Sequence, residues 1–264
     1  MPEKLQYDEK GRRIVRLPTA IFLDLDRCAY NTTKGFDIAV EATAYTTPIT
    51  ARQMYDAYEE SRGRSFNVVG WVNATLDQMG GGYSWQHDVA KEFIARGRRE
   101  QLLMPGTSKL LDYAEENEIH LGIMTYGAST PDHEAQTWKD ADAWQRSKAQ
   151  SELSLAKLAI EVCDQKRKGR VIANWRRGDE IWLPDSLTVE EGTQTVVERG
   201  ILVDDKTDSF RGLDELTDGV RVTPEDTANQ IEYQKGELPV DVVAVHGMTE
   251  ALGALKTILT LRRH

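Results

Sequence analysis

The chain has 264 residues, with 33 Lys and Arg against 43 Asp and Glu, which gives a formal net charge of -10. This negative charge disfavours nucleic acid as a general partner, and the length suits one large domain or one domain with an insertion. Two cysteines are too few for a disulfide framework, which fits a reducing cytoplasm. No run approaches the ~20 apolar residues of a membrane span, and the N-terminus lacks an apolar signal region. We therefore expect a cytoplasmic protein that is not bound to membranes.

The first strong strand signal is the apolar run from Ala20 to Leu25, which contains Asp24 and is followed by Asp26. A shorter possible strand at 12–17 precedes it, and Pro18 separates the two. An apolar run of this length is typical of a buried strand in a parallel sheet, whose C-terminal end opens into the crevice that holds ligands. Because side chains alternate along a strand, Asp24 and Asp26 can share one face and converge on a cation or a phosphate.

The segment from about 35 to 99 changes to helical spacing, with no alternation of strands and helices. Breaks at Pro48, at Gly63 and at the glycines of 80–82 divide it into three or four helices. The pattern predicts a mostly helical insertion at 35–99 in a core domain formed by 1–34 and 100–264.

Strand and helix signals alternate again after residue 100. Strands are expected at 119–125, 157–163, 200–205, 219–223 and 241–245, and helices near 107–113, 141–153, 168–175 and 248–261. The stretch 176–198 has no readable structure, and 224–238 is expected to be a loop. The fold class is therefore α/β, with a Rossmann-like parallel sheet flanked by helices.

Polar groups of complementary type end three of these strands: Asp24 with Asp26, then Thr125, then Asp204 with Asp205. The carboxyl ends of parallel strands meet at one edge of a sheet, so these groups should meet in space. Lys166 and Lys168 lie at a helix start between the last two groups. The set describes a phosphate and Mg²⁺ site, because Mg²⁺ prefers carboxylate oxygens and phosphoryl transfer requires charge neutralisation.

These motifs, in this order, resemble those of the haloacid-dehalogenase-like superfamily of phosphohydrolases. The stretch Pro105-Gly106-Thr107 also resembles that family's lead into its second motif, and the insertion at 35–99 resembles its helical cap. The resemblance implies that Asp24 attacks phosphorus to form an aspartyl-phosphate. It further implies that Asp26 protonates the leaving alcohol and then activates water, while Thr125 and a lysine bind the phosphate. Asp24, the backbone carbonyl of Asp26, and Asp204 or Asp205 would bind Mg²⁺.

The chemistry supports such roles without the resemblance. A carboxylate is a weak nucleophile but is ionised at neutral pH, and Mg²⁺ offsets its repulsion from the phosphate. Asp26 beside the like charge of Asp24 would hold a proton more strongly, which suits a general acid.

Several assignments stay open at this stage. Lys168 is favoured over Lys166 as the phosphate lysine because an apolar helical pattern follows it. Arg27 either reaches a second anionic group of the substrate or pairs with an acid. Cys28 departs from the family pattern and is expected to pack rather than to act in redox chemistry. Asp208 competes with Asp204 and Asp205 for the metal.

The sequence therefore predicts a Mg²⁺-dependent phosphatase acting on a small phosphorylated metabolite. The alternatives are a phosphoacceptor module that does not hydrolyse a substrate, and a catalytically silent binding relative. The order of motifs disfavours the phosphoacceptor, whose acceptor Asp ends a middle strand. Neither substrate identity nor oligomeric state follows from the sequence.

Overall fold

A computed structural model describes residues 5–61, 66–127, 135–223, 238–239 and 242–261. The chain divides into two compact units. The first contains 1–29, 104–125 and 158–264, and the second contains 30–103 and 126–157. Within the described residues, no helix is both long enough and apolar enough to cross a bilayer.

The first unit contains one eight-stranded sheet, whose strands are β1 (Arg13–Leu23), β2 (His120–Tyr126), β3 (Ala159–Cys163), β4 (Arg176–Arg177), β5 (Glu180–Trp182), β6 (Thr193–Asp204), β7 (Thr217–Thr223) and β8 (Val242–His246). The pairs β1/β2, β1/β6, β6/β7 and β7/β8 are parallel, whereas β5 is antiparallel to β4 and to β6. The predicted α/β class with a parallel sheet is confirmed.

The strand order places β1 at the centre, with β2 and β3 on one side and β6, β7 and β8 on the other. After β1 the chain thus forms β2 and β3 on one side of that strand, and it later returns to form β6 on the other side. In open α/β sheets, such a switch point opens a crevice at the carboxyl ends of the strands, where ligands bind. Here the switch point lies between β1 and β6.

β1 is longer than predicted, because it continues through Pro18. Its first half pairs with β6 and forms an isolated bridge from Arg13 to Tyr7, and pairing with β2 begins at Ala20. Proline has no N–H to donate, so it is tolerated where one side of a strand has no neighbour. The two short strands expected at 12–17 and 20–25 are therefore one strand.

Helices α5 (Thr107–Glu116), α7 (Lys168–Ala173) and α8 (Gly247–Leu261) also belong to the first unit. Apolar side chains of the sheet, of α7 and of a 3-10 helix (Thr207–Phe210) form a buried core that includes Phe22, Met124, Ile172, Leu202 and Phe210. This core holds the strand ends in fixed positions.

Gly106 precedes α5 with a φ of 88°, and a Cβ there would lie 2.6 Å from the backbone nitrogen of Thr249. We expect Gly106→Ala to destabilise the protein by about 2–4 kcal/mol, through left-handed backbone strain and overpacking against α8. Gly11 is a matched control, because its φ is 76° but no atom lies within 4 Å of its Cβ position. Urea unfolding should show a smaller loss for Gly11→Ala. Equal losses would contradict the close approach.

The second unit is helical. It contains α1 (Thr32–Thr46), α2 (Ala51–Glu60), α3 (Val68–Gln78), a π-helical turn (Trp85–Val89), α4 (Ala90–Gly97) and α6 (Ala135–Gln150). The N-cap side chains of Asn31, Thr50 and Asn67 accept backbone N–H bonds at the starts of α1, α2 and α3.

Helix α6 corrects the predicted domain bounds, which assigned all of 100–264 to the core. Trp144 on α6 packs against Trp85 and Phe93, with ring centroids 5.5 and 5.4 Å away. Asn73 on α3 donates a hydrogen bond of 3.1 Å to the buried Asp140 of α6. Because its buried face is covered by other helices, α6 joins the helical unit.

Two further differences concern the last third of the chain. The stretch 176–198, which had no readable structure, contains β4, β5 and the first half of β6. Most of the loop expected at 224–238 lies outside the described residues.

Candidate functional site

Three buried carboxylates meet at the carboxyl ends of β1 and β6. The two strands are in register, with Leu23 beside Val203, and the backbone N–H of Asp24 donates to the carbonyl of Val203 at 2.8 Å. This register sets Asp24 beside Asp204, and Asp205 follows directly. One oxygen from each of the three carboxylates lies within 4.8 Å of the others. The sheet thus brings the acids of two distant segments into one group.

Lys168, the first residue of α7, lies between two of these carboxylates. Its Nζ donates to Asp24 Oδ1, and to Asp204 Oδ2 at 2.6 Å. Only 2 % of Lys168 is exposed. Burial disfavours its charge, but the two carboxylates outweigh that effect and raise its pKa above the ordinary value. Lys168 therefore stays an ammonium group inside the site.

The surroundings of Asp24 and Asp205 raise the pKa of both carboxyl groups. Burial, opposed by the charge of Lys168 and assisted by Asp204, raises the pKa of Asp24 to about 6. Burial also raises the pKa of Asp205 well above its usual value. Asp24 thus still ionises near neutral pH.

The two consecutive acids have different surroundings. Asp204 Oδ1 accepts the backbone N–H of Lys206 at 2.8 Å, and its Oδ2 accepts from Lys168. Both oxygens of Asp205 are buried and accept no hydrogen bond from the described residues. A buried carboxylate without a donor is costly unless a cation binds it. The donor set of Asp24, Asp204 and Asp205 therefore fits a hard divalent cation such as Mg²⁺.

Asp208, the third candidate metal ligand, differs from the other two. It is exposed and forms an ion pair of 3.0 Å with Arg211. It is not in the cluster of Asp24, Asp204 and Asp205.

Thr125 occupies the end of β2, on the other side of β1. The register pairs Leu23 with Ile123, so Thr125 emerges at the same edge of the sheet as Asp24. It is 1 % exposed, and its Oγ1 has no hydrogen-bond partner among the described residues. A buried hydroxyl without a partner is unusual, and it leaves the hydrogen-bonding capacity of Thr125 Oγ1 available to a ligand.

The turn after β1 carries Asp26, Arg27 and Cys28. Asp26 is half-buried, and its charge contributes to the raised pKa of Asp24. Arg27 is exposed and has a φ of 61°.

Lys166, the other candidate lysine, is exposed, and its carbonyl accepts the backbone N–H of Lys168 at 3.1 Å. Of the two candidate lysines, it is Lys168 whose ammonium bonds to Asp24.

Cys28 is buried, with its Sγ 3.9 Å from the Val203 carbonyl and 3.7 Å from Met248 Sδ. Burial, together with the charges of Asp24, Asp204 and Asp205, raises the pKa of the Cys28 thiol well above its usual value. A neutral, packed thiol suits the steric role expected from the sequence rather than a reactive one.

Lys206 is a charged residue at this site that sequence reasoning missed. It is exposed and directly follows Asp205. Desolvation opposes its charge, but Asp205, Asp24, Asp204 and Asp26 outweigh that effect and raise its pKa. The sequence feature that could have identified Lys206 is its position directly after Asp204 and Asp205, at the end of a strand.

We expect Asp205→Asn to remove Mg²⁺ binding without lowering the stability of the metal-free protein. In EDTA the variant should be at least as stable as the unchanged protein, because a buried carboxylate without a donor becomes neutral. The rise in Tm that Mg²⁺ gives the unchanged protein should disappear. Thermal unfolding with Mg²⁺ and with EDTA measures both effects. A preserved Mg²⁺ shift would contradict the assignment of Asp205 as a ligand.

Comparison with known proteins gives structural likenesses only. No family model matches the chain, and no curated protein matches it. A haloacid-dehalogenase-like hydrolase from Burkholderia xenovorans has 10 % identity and a TM-score of 0.48, with 92 % of this chain and 98 % of that chain covered. A protein from Thermotoga maritima assigned as a beta-phosphoglucomutase has 14 % identity and a TM-score of 0.42, with 92 % and 100 % covered. A magnesium-bound HAD hydrolase from Bacillus subtilis has 16 % identity and a TM-score of 0.39, with 91 % and 99 % covered.

At such low identity, the activity of this chain has to be inferred from its own site. These likenesses concern the fold alone.

Proposed function

We propose that the protein is a Mg²⁺-dependent phosphatase that hydrolyses a small phosphomonoester through an aspartyl-phosphate on Asp24. One observation carries the proposal: Lys168 is buried between Asp24 and Asp204, beside the unpartnered carboxylate of Asp205. An ammonium and a cation-binding pair of acids around one nucleophilic carboxylate meet the needs of phosphoryl transfer, which depends on positioning and charge neutralisation.

In the first step, an oxygen of Asp24 bonds to phosphorus and the bond from phosphorus to the leaving oxygen breaks. Asp26, in the turn two residues further on, gives its proton to the leaving oxygen. Lys168 and the hydroxyl of Thr125 donate to the non-bridging phosphate oxygens. Asp24, Asp204, Asp205 and the Asp26 carbonyl would hold Mg²⁺, which supplies positive charge that offsets the repulsion between carboxylate and phosphate.

In the second step, Asp26 takes a proton from water as the water oxygen bonds to phosphorus. The bond between phosphorus and Asp24 breaks, inorganic phosphate leaves, and both carboxylates return to their starting states. Asp26 thus acts first as an acid and then as a base.

The test is the release of inorganic phosphate from an aryl phosphate, with Mg²⁺ and with EDTA. We expect turnover with Mg²⁺ and none with EDTA. A stable phosphoryl adduct without turnover would instead support the phosphoacceptor, and the absence of both would support a silent binding relative.

A further inference from the structure

The ammonium group of Lys168 is a cation of the protein's own inside the acid cluster. Its Nζ donates to Asp24 Oδ1, and to Asp204 Oδ2 at 2.6 Å. These two acids and Asp205 each place one oxygen within 4.8 Å of the others, which is the spacing of a set that could hold one metal ion. Two of the three carboxylates that fit Mg²⁺ are therefore already bound to an ammonium group.

Asp204 and Asp205 differ in how their oxygens are used. Asp204 Oδ1 accepts the backbone N–H of Lys206 at 2.8 Å, and its Oδ2 accepts from Lys168. Neither oxygen of Asp205 accepts a hydrogen bond from the part of the chain that the structure describes. A metal ion that enters thus meets one acid without a donor and one acid whose two oxygens both have donors.

A divalent cation and the Lys168 ammonium would draw on the same negative charge. If both bound Asp204, only that carboxylate would separate two positive charges. Lys168 and Asp204 are buried, so little water screens the repulsion between these charges. Full binding of Mg²⁺ by Asp204 therefore requires the ammonium to release that acid.

The backbone at the start of α7 is held in place, whereas the end of the lysine side chain can move. A Cβ at Gly169 would lie 2.9 Å from the backbone nitrogen of Leu213 and 3.0 Å from two of its side-chain carbons. The first turn of α7 therefore packs tightly against Leu213. Release of Asp204 is expected to use rotation of the flexible four-carbon stem of Lys168 and not a shift of the helix.

A phosphate at this edge of the sheet offers the ammonium another anionic partner. Lys168 has three N–H donors, of which two bind carboxylates. The buried Oγ1 of Thr125, at the end of the neighbouring β2, has no hydrogen-bond partner among the described residues. Phosphate oxygens are strong acceptors for an ammonium and a hydroxyl together.

We infer that Lys168 competes with Mg²⁺ for Asp24 and Asp204 in the phosphate-free protein, and that a bound phosphate relieves this competition by drawing the ammonium away from Asp204. The inference rests on the proposed function, from which it takes the Mg²⁺ and phosphate site, and adds a coupling between the two ligands. Because such coupling is reciprocal, each ligand should bind more tightly in the presence of the other.

Calorimetric titration with MgCl₂ in the absence of phosphate tests the competition without requiring turnover. We expect Lys168→Met and Lys168→Gln to bind Mg²⁺ about tenfold or more tightly than the unchanged protein does. The glutamine variant keeps N–H donors for Asp24 and Asp204, so it should fold even if the methionine variant does not. Circular dichroism of each preparation checks folding.

Lys206→Met is the matched control for charge. It removes the same positive charge beside the same acids, which raise the pKa of Lys206, but the side chain of Lys206 is exposed. Exposed charges interact weakly, so the control should change the Mg²⁺ dissociation constant by less than about threefold.

A second titration with MgCl₂ contains saturating inorganic phosphate. In this titration the unchanged protein should bind Mg²⁺ to within about threefold of Lys168→Gln, or more tightly, because phosphate has then drawn the ammonium from Asp204. The difference between the two proteins is thus expected only in the absence of phosphate.

Three results would overturn the inference: folded Lys168 variants that bind Mg²⁺ no more tightly than the unchanged protein, an equal gain in Lys206→Met, or a difference that persists in phosphate. Failure of the proposed function gives a different pattern. Turnover of an aryl phosphate without tighter Mg²⁺ binding by the Lys168 variants removes only the competition. Tighter binding by those variants without turnover of any ester removes the phosphatase and leaves the competition.

Discussion

Asp24→Asn is expected to lower the kcat for Mg²⁺-dependent release of phosphate from an aryl phosphate by more than about a thousandfold. An amide has no anionic oxygen to attack phosphorus, so the covalent step is lost. The variant should still fold, because the amide is neutral and isosteric with the buried carboxylate. Measured kcat and circular dichroism of the same preparation give activity and folding together.

The matched control is Asp208→Asn, which makes the same chemical change at an exposed acid of the 3-10 helix after β6, where Asp208 pairs with Arg211. We expect this control to fold as the unchanged protein does. Retention of a tenth of the activity by Asp24→Asn, with the control behaving normally, would rule out Asp24 as the nucleophile.

Lys168→Met is expected to lower the free energy of unfolding by about 3–5 kcal/mol in EDTA, because Asp24 and Asp204 would remain buried without their shared counter-charge. Addition of the second change Asp24→Asn should recover part of this loss, since one uncompensated carboxylate is removed. Urea unfolding of the single and double variants measures both effects.

Lys166→Met is the control, because that lysine is exposed and two residues away. Its replacement should change the free energy of unfolding by less than about 1 kcal/mol. Similar losses in the two lysine variants would contradict the buried position of Lys168.

The central part of the site could be predicted because it depends on a general property of parallel sheets. Apolar runs located the ends of β1, β2 and β6, and their carboxyl ends share an edge, so Asp24, Thr125 and Asp204 were expected at one place. The structure places them at that edge. Lys168 rather than Lys166 reaches Asp24, and the apolar helical pattern that follows Lys168 in the sequence favours the same lysine.

Other features depend on tertiary contacts that local patterns do not encode. The first half of β6 was missed because the segment before it is rich in Gly, Thr and Glu, although β1 and β5 pair with it. Helix α6 was assigned to the core domain because a helix pattern does not indicate which neighbour covers its apolar face. Its packing through Trp144 onto Trp85 decides that question.

Trapping of the proposed covalent intermediate tests the account most directly. The protein is mixed with an aryl phosphate and Mg²⁺, quenched, and treated with borohydride, which reduces an acyl phosphate to an alcohol. Peptide mass spectrometry should then find homoserine at position 24, and none in a sample without substrate. A reduced residue at Asp26 or Asp205 instead of Asp24, or release of phosphate with no reduced residue, would contradict the account.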